Sequence, residues 1–147
     1  MKYFLSVFSI SAIAVLFSCN KDKAAAKDID GNWLESESKM MVGDSAISNI
    51  SKLYEGGQFH FYSCNLKKED YCDLLIQVKN SEDSIHISYP FVYQIKDDAD
   101  SLLIKEGPAD SSYYINRFKL ESLGKDFLVL EKALGGDTFL KRVFVRM

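Results

Sequence analysis

Histidine and proline each occur twice in this chain, tryptophan once and cysteine three times. Each scarcity excludes something. His60 and His86 have no metal-ligating neighbour at a usual spacing, and the seven residues between Cys64 and Cys72 do not suit the short spacing of zinc ligands. No metal centre is expected. A Gly-x-Ser-x-Gly elbow, a phosphate-cradling glycine loop and a His-Glu-x-x-His pair are all missing. The run Asp97-Asp98-Ala99-Asp100 lacks the spaced ligands, central glycine and distal glutamate of a calcium loop, and reads as a solvated hairpin turn. The chain is therefore expected to be neither an enzyme nor the holder of a cofactor. Basic residues are scattered, with only Lys67-Lys68 and Lys141-Arg142 adjacent, and the formal charge is −3. That mild acidity offers no footprint for nucleic acid. An uninterrupted apolar run of about twenty residues, the length needed to span a bilayer, is also lacking.

A shorter apolar run is present. Met1-Lys2 precedes a mainly apolar stretch from Tyr3 to Phe17, which ends in Leu16-Phe17-Ser18-Cys19. A basic start, about fifteen such residues and a small residue before the last position describe a secretory leader. Leu-x-Ser-Cys resembles the lipobox of bacterial lipoproteins, with Phe17 bulkier than the usual residue at its position. The resemblance implies removal of residues 1–18 and a lipid anchor on Cys19, with acyl chains such as palmitate. The alternative is a plain secretory signal ending by chance at a cysteine. Several acyl chains at about 0.8 kcal/mol per buried methylene hold a protein on a leaflet almost irreversibly. Asn20 follows the cysteine, where aspartate marks inner-membrane retention among envelope lipoproteins. The implied address is thus the outer membrane. Residues 19–28 are small and polar and read as a flexible tether, with a short fraying helix through Ala24-Ala25-Ala26 as the alternative. Residues 29–147 are one domain's worth of chain, enough to bury about two-thirds of the unfolded surface.

From Gly31 onward the pattern is strand and turn, with almost no helical period. Strands are predicted over 32–42, 47–55, 59–64, 72–79, 84–89, 91–96, 101–105, 112–120, 127–132 and 138–146, and 43–49 admits a helical turn instead. Short connections rich in glycine, aspartate and asparagine separate them, as at Asn80-Ser81-Glu82-Asp83, Gly124-Lys125-Asp126 and Gly135-Gly136-Asp137. Sequential hairpins of this kind make an antiparallel up-and-down meander. With eight to ten strands, closure into a barrel removes the exposed edges. A two-sheet β-sandwich is the alternative. The runs Phe127-Leu128-Val129-Leu130 and Val143-Phe144-Val145 are apolar on both faces, so part of the outer wall is expected to be covered or to dimerise.

The domain opens on Ile29-Asp30-Gly31-Asn32-Trp33. Further on come Gly57-Gln58-Phe59, Tyr93-Gln94-Ile95, an acidic turn and Leu102-Leu103-Ile104. These resemble the lipocalin family, in particular the small lipocalin-like domains of bacterial lipoproteins. The likeness covers residues 29–147, on short motifs. It implies an eight-stranded barrel whose end is plugged by Trp33, beside Gly31, with an arginine of the last strand packed across the ring. Arg142 and Arg146 share a face, so either can serve.

Cys64 and Cys72 are the even remainder in an exported chain and read as a disulfide, against the alternative of two buried thiols. Face alternation sends Phe59, Phe61, Ile85, Ile87, Tyr89, Phe91, Tyr93 and Ile95 inward, where they either fill a core or line a ligand cavity. The expected function is a lipid-anchored, lipocalin-like binding protein for a small hydrophobic molecule. The alternative is a solid-core lipoprotein that binds an envelope protein as an inhibitor or accessory subunit.

Overall fold

The computed structural model describes residues 21–50, 52, 57–66, 69–79, 86–107 and 115–147. The leader, Cys19 and Ile85 lie outside the described residues. Nine strands follow a short helix α1 (residues 21–29): β1 Gly31–Val42, β2 Ser45–Asn49, β3 Gln58–Phe61, β4 Cys72–Lys79, β5 His86–Lys96, β6 Ser101–Glu106, β7 Ile115–Leu123, β8 Phe127–Gly135 and β9 Thr138–Arg146. Every neighbouring pair is antiparallel. β9 returns to pair along β1 from Trp33↔Arg146 to Val42↔Thr138. β1 and β3 to β9 thus form an eight-stranded antiparallel meander closed into a barrel, the architecture the sequence predicts.

Closure works because β1 is long enough to serve two neighbours on one side. Its lower part pairs with β3 (Gly31↔Phe61 to Leu34↔Gln58), and its upper part pairs with β2 (Lys39↔Asn49 to Val42↔Ser45). The hairpin turn Gly43-Asp44 is made possible by the positive φ of Gly43 (54°). Accordingly 45–49 is strand rather than helical turn, and the second strand starts earlier than predicted. Residues 84–96, read as two strands parted by Pro90, contain one strand from His86 onward. Pro90 stands at the edge of the described β5–β6 pairing. Among the described residues the last pair is Phe91↔Glu106, and beyond it Gly107 N bonds Pro90 O (3.3 Å).

Residues 19–28 were expected to be a flexible tether; from residue 21 they are instead helix, packed against the barrel. Alanine favours helix, and Ala25, Ala26 and Ile29 are buried in the same core cluster as Trp33 and Phe61. Asp22 Oδ1 accepts a hydrogen bond from Ala99 N (2.6 Å) in the β5–β6 turn, where Asp97, Asp98 and Ala99 all take positive φ. No helix among the described residues is long and apolar enough to cross a membrane.

Candidate functional site

The two ends of the barrel differ. At the end where β1 begins, Trp33 is completely buried, its Nε1–H donates to Ile29 O (2.7 Å), and the Arg146 guanidinium lies 4.2 Å from the ring centroid. Arg146 also donates to the carbonyls of Asp28, Asp30 and Lys125, which draws α1 and the β7–β8 turn over the opening. Gly31 permits the approach. Its φ is +123°, and a Cβ there would lie 2.8 Å from Arg146 Nη1. Of the two arginines, Arg146 covers the tryptophan, while Arg142 has another role.

Above Trp33 the lumen is filled by rings and branched chains. Phe59 meets Phe144 edge-on at 5.1 Å, and Phe61 meets Tyr93 edge-on at 5.1 Å. Ile95, Leu102, Leu128 and Leu130 pack in the same cluster. Four of the residues proposed to line a cavity, Phe59, Phe61, Tyr93 and Ile95, therefore sit in this filled half and touch other core side chains. Phe91 is partly buried at its margin, and Tyr89 is 37% exposed. Ile87 lies in β5 opposite Val78.

The Tyr93 hydroxyl donates to Tyr62 O (2.8 Å). Burial, and then Asp30, Glu69 and Asp73, raise its pKa above the ordinary tyrosine value of 10.0. A raised folded-state pKa contributes stability that is complete below the unfolded value and disappears as pH rises past it. The protein is therefore expected to lose stability above about pH 10. Tyr93→Phe should lose less over that interval, as urea midpoints at about pH 9 and about pH 11 would show.

Cys64 and Cys72 form a disulfide, with Cα atoms 5.4 Å apart. It joins the β3–β4 loop to the start of β4, and Cys72 is part of the core. Glu69 lies close by, but both sulfurs are engaged with each other, so the cluster has no thiolate to offer a metal. Reduction, or the double change Cys64→Ser with Cys72→Ser, is expected to cost about 2–3 kcal/mol in urea unfolding.

Midway up the lumen the lining changes character. Glu35 is 1% exposed, Ser38 5% and Arg142 7%. Arg142 Nη1 donates to Glu35 Oε1 (2.6 Å) and to Ser38 Oγ (3.1 Å), and the Ser38 hydroxyl donates to Glu35 Oε1. A bulge in the β1–β9 pairing between Glu35 and Glu37 sets Ser38 opposite Arg142. The sequence reading missed Glu35 and Ser38. Period two placed Glu35 on the face of Trp33, a charged residue on an inward face, and that was the available signal.

Beyond this trio the wall loosens. β7 and β8 pair only from Lys119↔Glu131 downward. Past that point Lys132 Nζ reaches Asn116 Oδ1 (2.7 Å) and lies 6.0 Å from the Phe118 ring centroid. Among the described residues β2 pairs with β1 alone. Met40, Leu140 and Lys132 are registered with one another at this level and are all partly exposed. An open depression of about 420 Å³ lies where β7 leaves β8, lined by Ser101, Arg117, Phe118, Lys119 and Lys132 among others.

Comparison of the chain with protein-family models, with curated proteins and with solved structures returned no match.

Proposed function

We propose that the protein is a lipid-anchored envelope lipoprotein whose lipocalin-like domain binds a small hydrophobic molecule in the open half of its barrel. The single observation behind this reading is the asymmetry of the lumen. One end is sealed by Trp33, Arg146 and α1, whereas toward the other β7 and β8 part among the described residues and the inward Met40, Lys132 and Leu140 are partly exposed. The Glu35–Ser38–Arg142 trio forms a polar floor between the halves. A ligand suited to it has an apolar body for Met40, Phe91 and Leu140 and one polar group for the floor. Barrels of eight strands have room for one small ligand or for side chains; the proposed ligand would lie above the filled half.

The deciding experiment is extraction of the purified protein with organic solvent and mass spectrometry of what is released. A stoichiometric lipid or pigment would support carriage and name the ligand class. A well-folded protein that releases nothing and takes up no fluorescent fatty-acid probe would sink it. That result would favour the second reading, an accessory lipoprotein that binds an envelope protein. Its support is the outer wall of β8, β9 and β1, where Phe127 (57% exposed) is registered with Val145 and Val145 with Leu34.

A further inference from the structure

We infer that the sealed end of the barrel is the face that meets the bilayer, so the open half points away from the membrane that holds the protein. The inference rests on the proposed lipid anchor at Cys19 and adds a partner surface to it. Cys19 stands two residues before the first residue of α1. Two residues reach about 7 Å at full extension, which is much less than the width of the domain. α1 itself supplies no slack. Asp22 is bonded to Ala99 at one end of the helix, and at the other Ile29 is buried and its carbonyl holds Trp33. The helix therefore delivers the anchor to the sealed end, beside the turns at Asp97–Asp100 and Lys125.

The outward side of α1 fits a headgroup layer. Lys21, Ala24 and Lys27 are exposed, three residues apart, while Ala25, Ala26 and Ile29 face the barrel. Asp97, Asp98 and Asp126 are exposed around the same end, so attraction to anionic lipid is not what fixes the pose. The short link fixes it, and zwitterionic phosphatidylcholine is a sufficient partner. β9 rises about 3.3 Å per residue and barrel strands tilt by roughly 35–45°, which puts the β8–β9 turn at Gly136 about 20 Å further from the surface than Arg146. Ligand would then enter from the aqueous side or from a facing partner, and not from the leaflet beneath.

The test uses the chain produced with its own leader. Intact mass first shows whether Cys19 carries acyl chains, and a chain without them would refute the lipoprotein reading alone. Such a chain is coupled through the Cys19 thiol to a maleimide lipid, since Cys64 and Cys72 are paired, so the orientation is read in either case. In phosphatidylcholine nanodiscs holding nitroxide-headgroup lipid, the amide signals of Asp98 and Lys125 are expected to be lost and those of Gly43 and Gly136 kept. Loss at Gly43 and Gly136, or even attenuation throughout, would overturn the orientation. A flexible Gly-Ser spacer of about twelve residues between Asn20 and Lys21, reaching about 20 Å, should restore Asp98 and Lys125. Persistence of their loss would refute the short link as its cause.

Discussion

Arg142→Met is expected to destabilise the protein by about 3–5 kcal/mol in urea unfolding, because it leaves the Glu35 carboxylate buried without its cation. The ion pair lies inside the barrel with Glu35 1% and Arg142 7% exposed, so water cannot replace the lost partner cheaply. Glu35→Leu alone should cost a similar amount for the mirror reason. The double variant Glu35→Leu with Arg142→Met should recover most of the loss, since a buried pair replaced by apolar side chains of similar volume is often neutral or stabilising by about 1–4 kcal/mol. Ser38 then keeps a hydroxyl whose partners have gone, which returns about 1–3 kcal/mol of the penalty if nothing else accepts it. A double variant as unstable as the sum of the singles would mean that the pair is not the energetic unit. If the trio is also the polar floor of the ligand site, the double variant would fold well yet lose preference for ligands with a polar end. Stability and selectivity are thereby separable in one set of proteins.

The strand pattern carried the fold because alternation and turn chemistry are local. In β5 and β6, Tyr93, Ile95, Leu102 and Ile104 all point inward, as period two requires, and the turn between them is Asp97–Asp100. What was not legible depended on contacts distant in sequence. Nothing near Arg142 says that it meets Glu35, or that Arg146 four residues later meets Trp33; only the return of β9 onto β1 decides between them. The helical state of residues 21–29 had the same origin. A stretch of lysine, aspartate and alanine looks like a tether until the barrel end supplies a surface for Ala25, Ala26 and Ile29. Of the candidate site, only burial was legible. Phe59, Phe61, Tyr93 and Ile95 are buried in the core, but alternation cannot distinguish a side chain that fills a lumen from one that lines a cavity.

Trp33→Ala should cost about 3–5 kcal/mol, the usual range for removing a large buried aromatic. That is about a fifth or more of the roughly 5–15 kcal/mol that separates a typical domain from its unfolded state. Three contributions act together at this position. The ring is fully buried in the core, it lies under the Arg146 guanidinium at 4.2 Å, and its Nε1–H holds the last carbonyl of α1. Trp33→Phe separates them, because a phenyl ring retains most of the packing and a weaker face for the cation while losing the donor. The phenylalanine variant should therefore unfold only about 1–2 kcal/mol more easily, yet exchange the amide hydrogens of residues 25–29 faster than the barrel strands do. Circular dichroism gives the stability of both variants, since each lacks the single tryptophan as a fluorophore. A loss below about 1 kcal/mol for alanine would mean that the ring is not the plug. Unchanged exchange in α1 for phenylalanine would mean that the helix is held by Asp22 and Arg146 without Trp33. Loosening of α1 also reaches function, because the proposed membrane orientation depends on that helix having no slack.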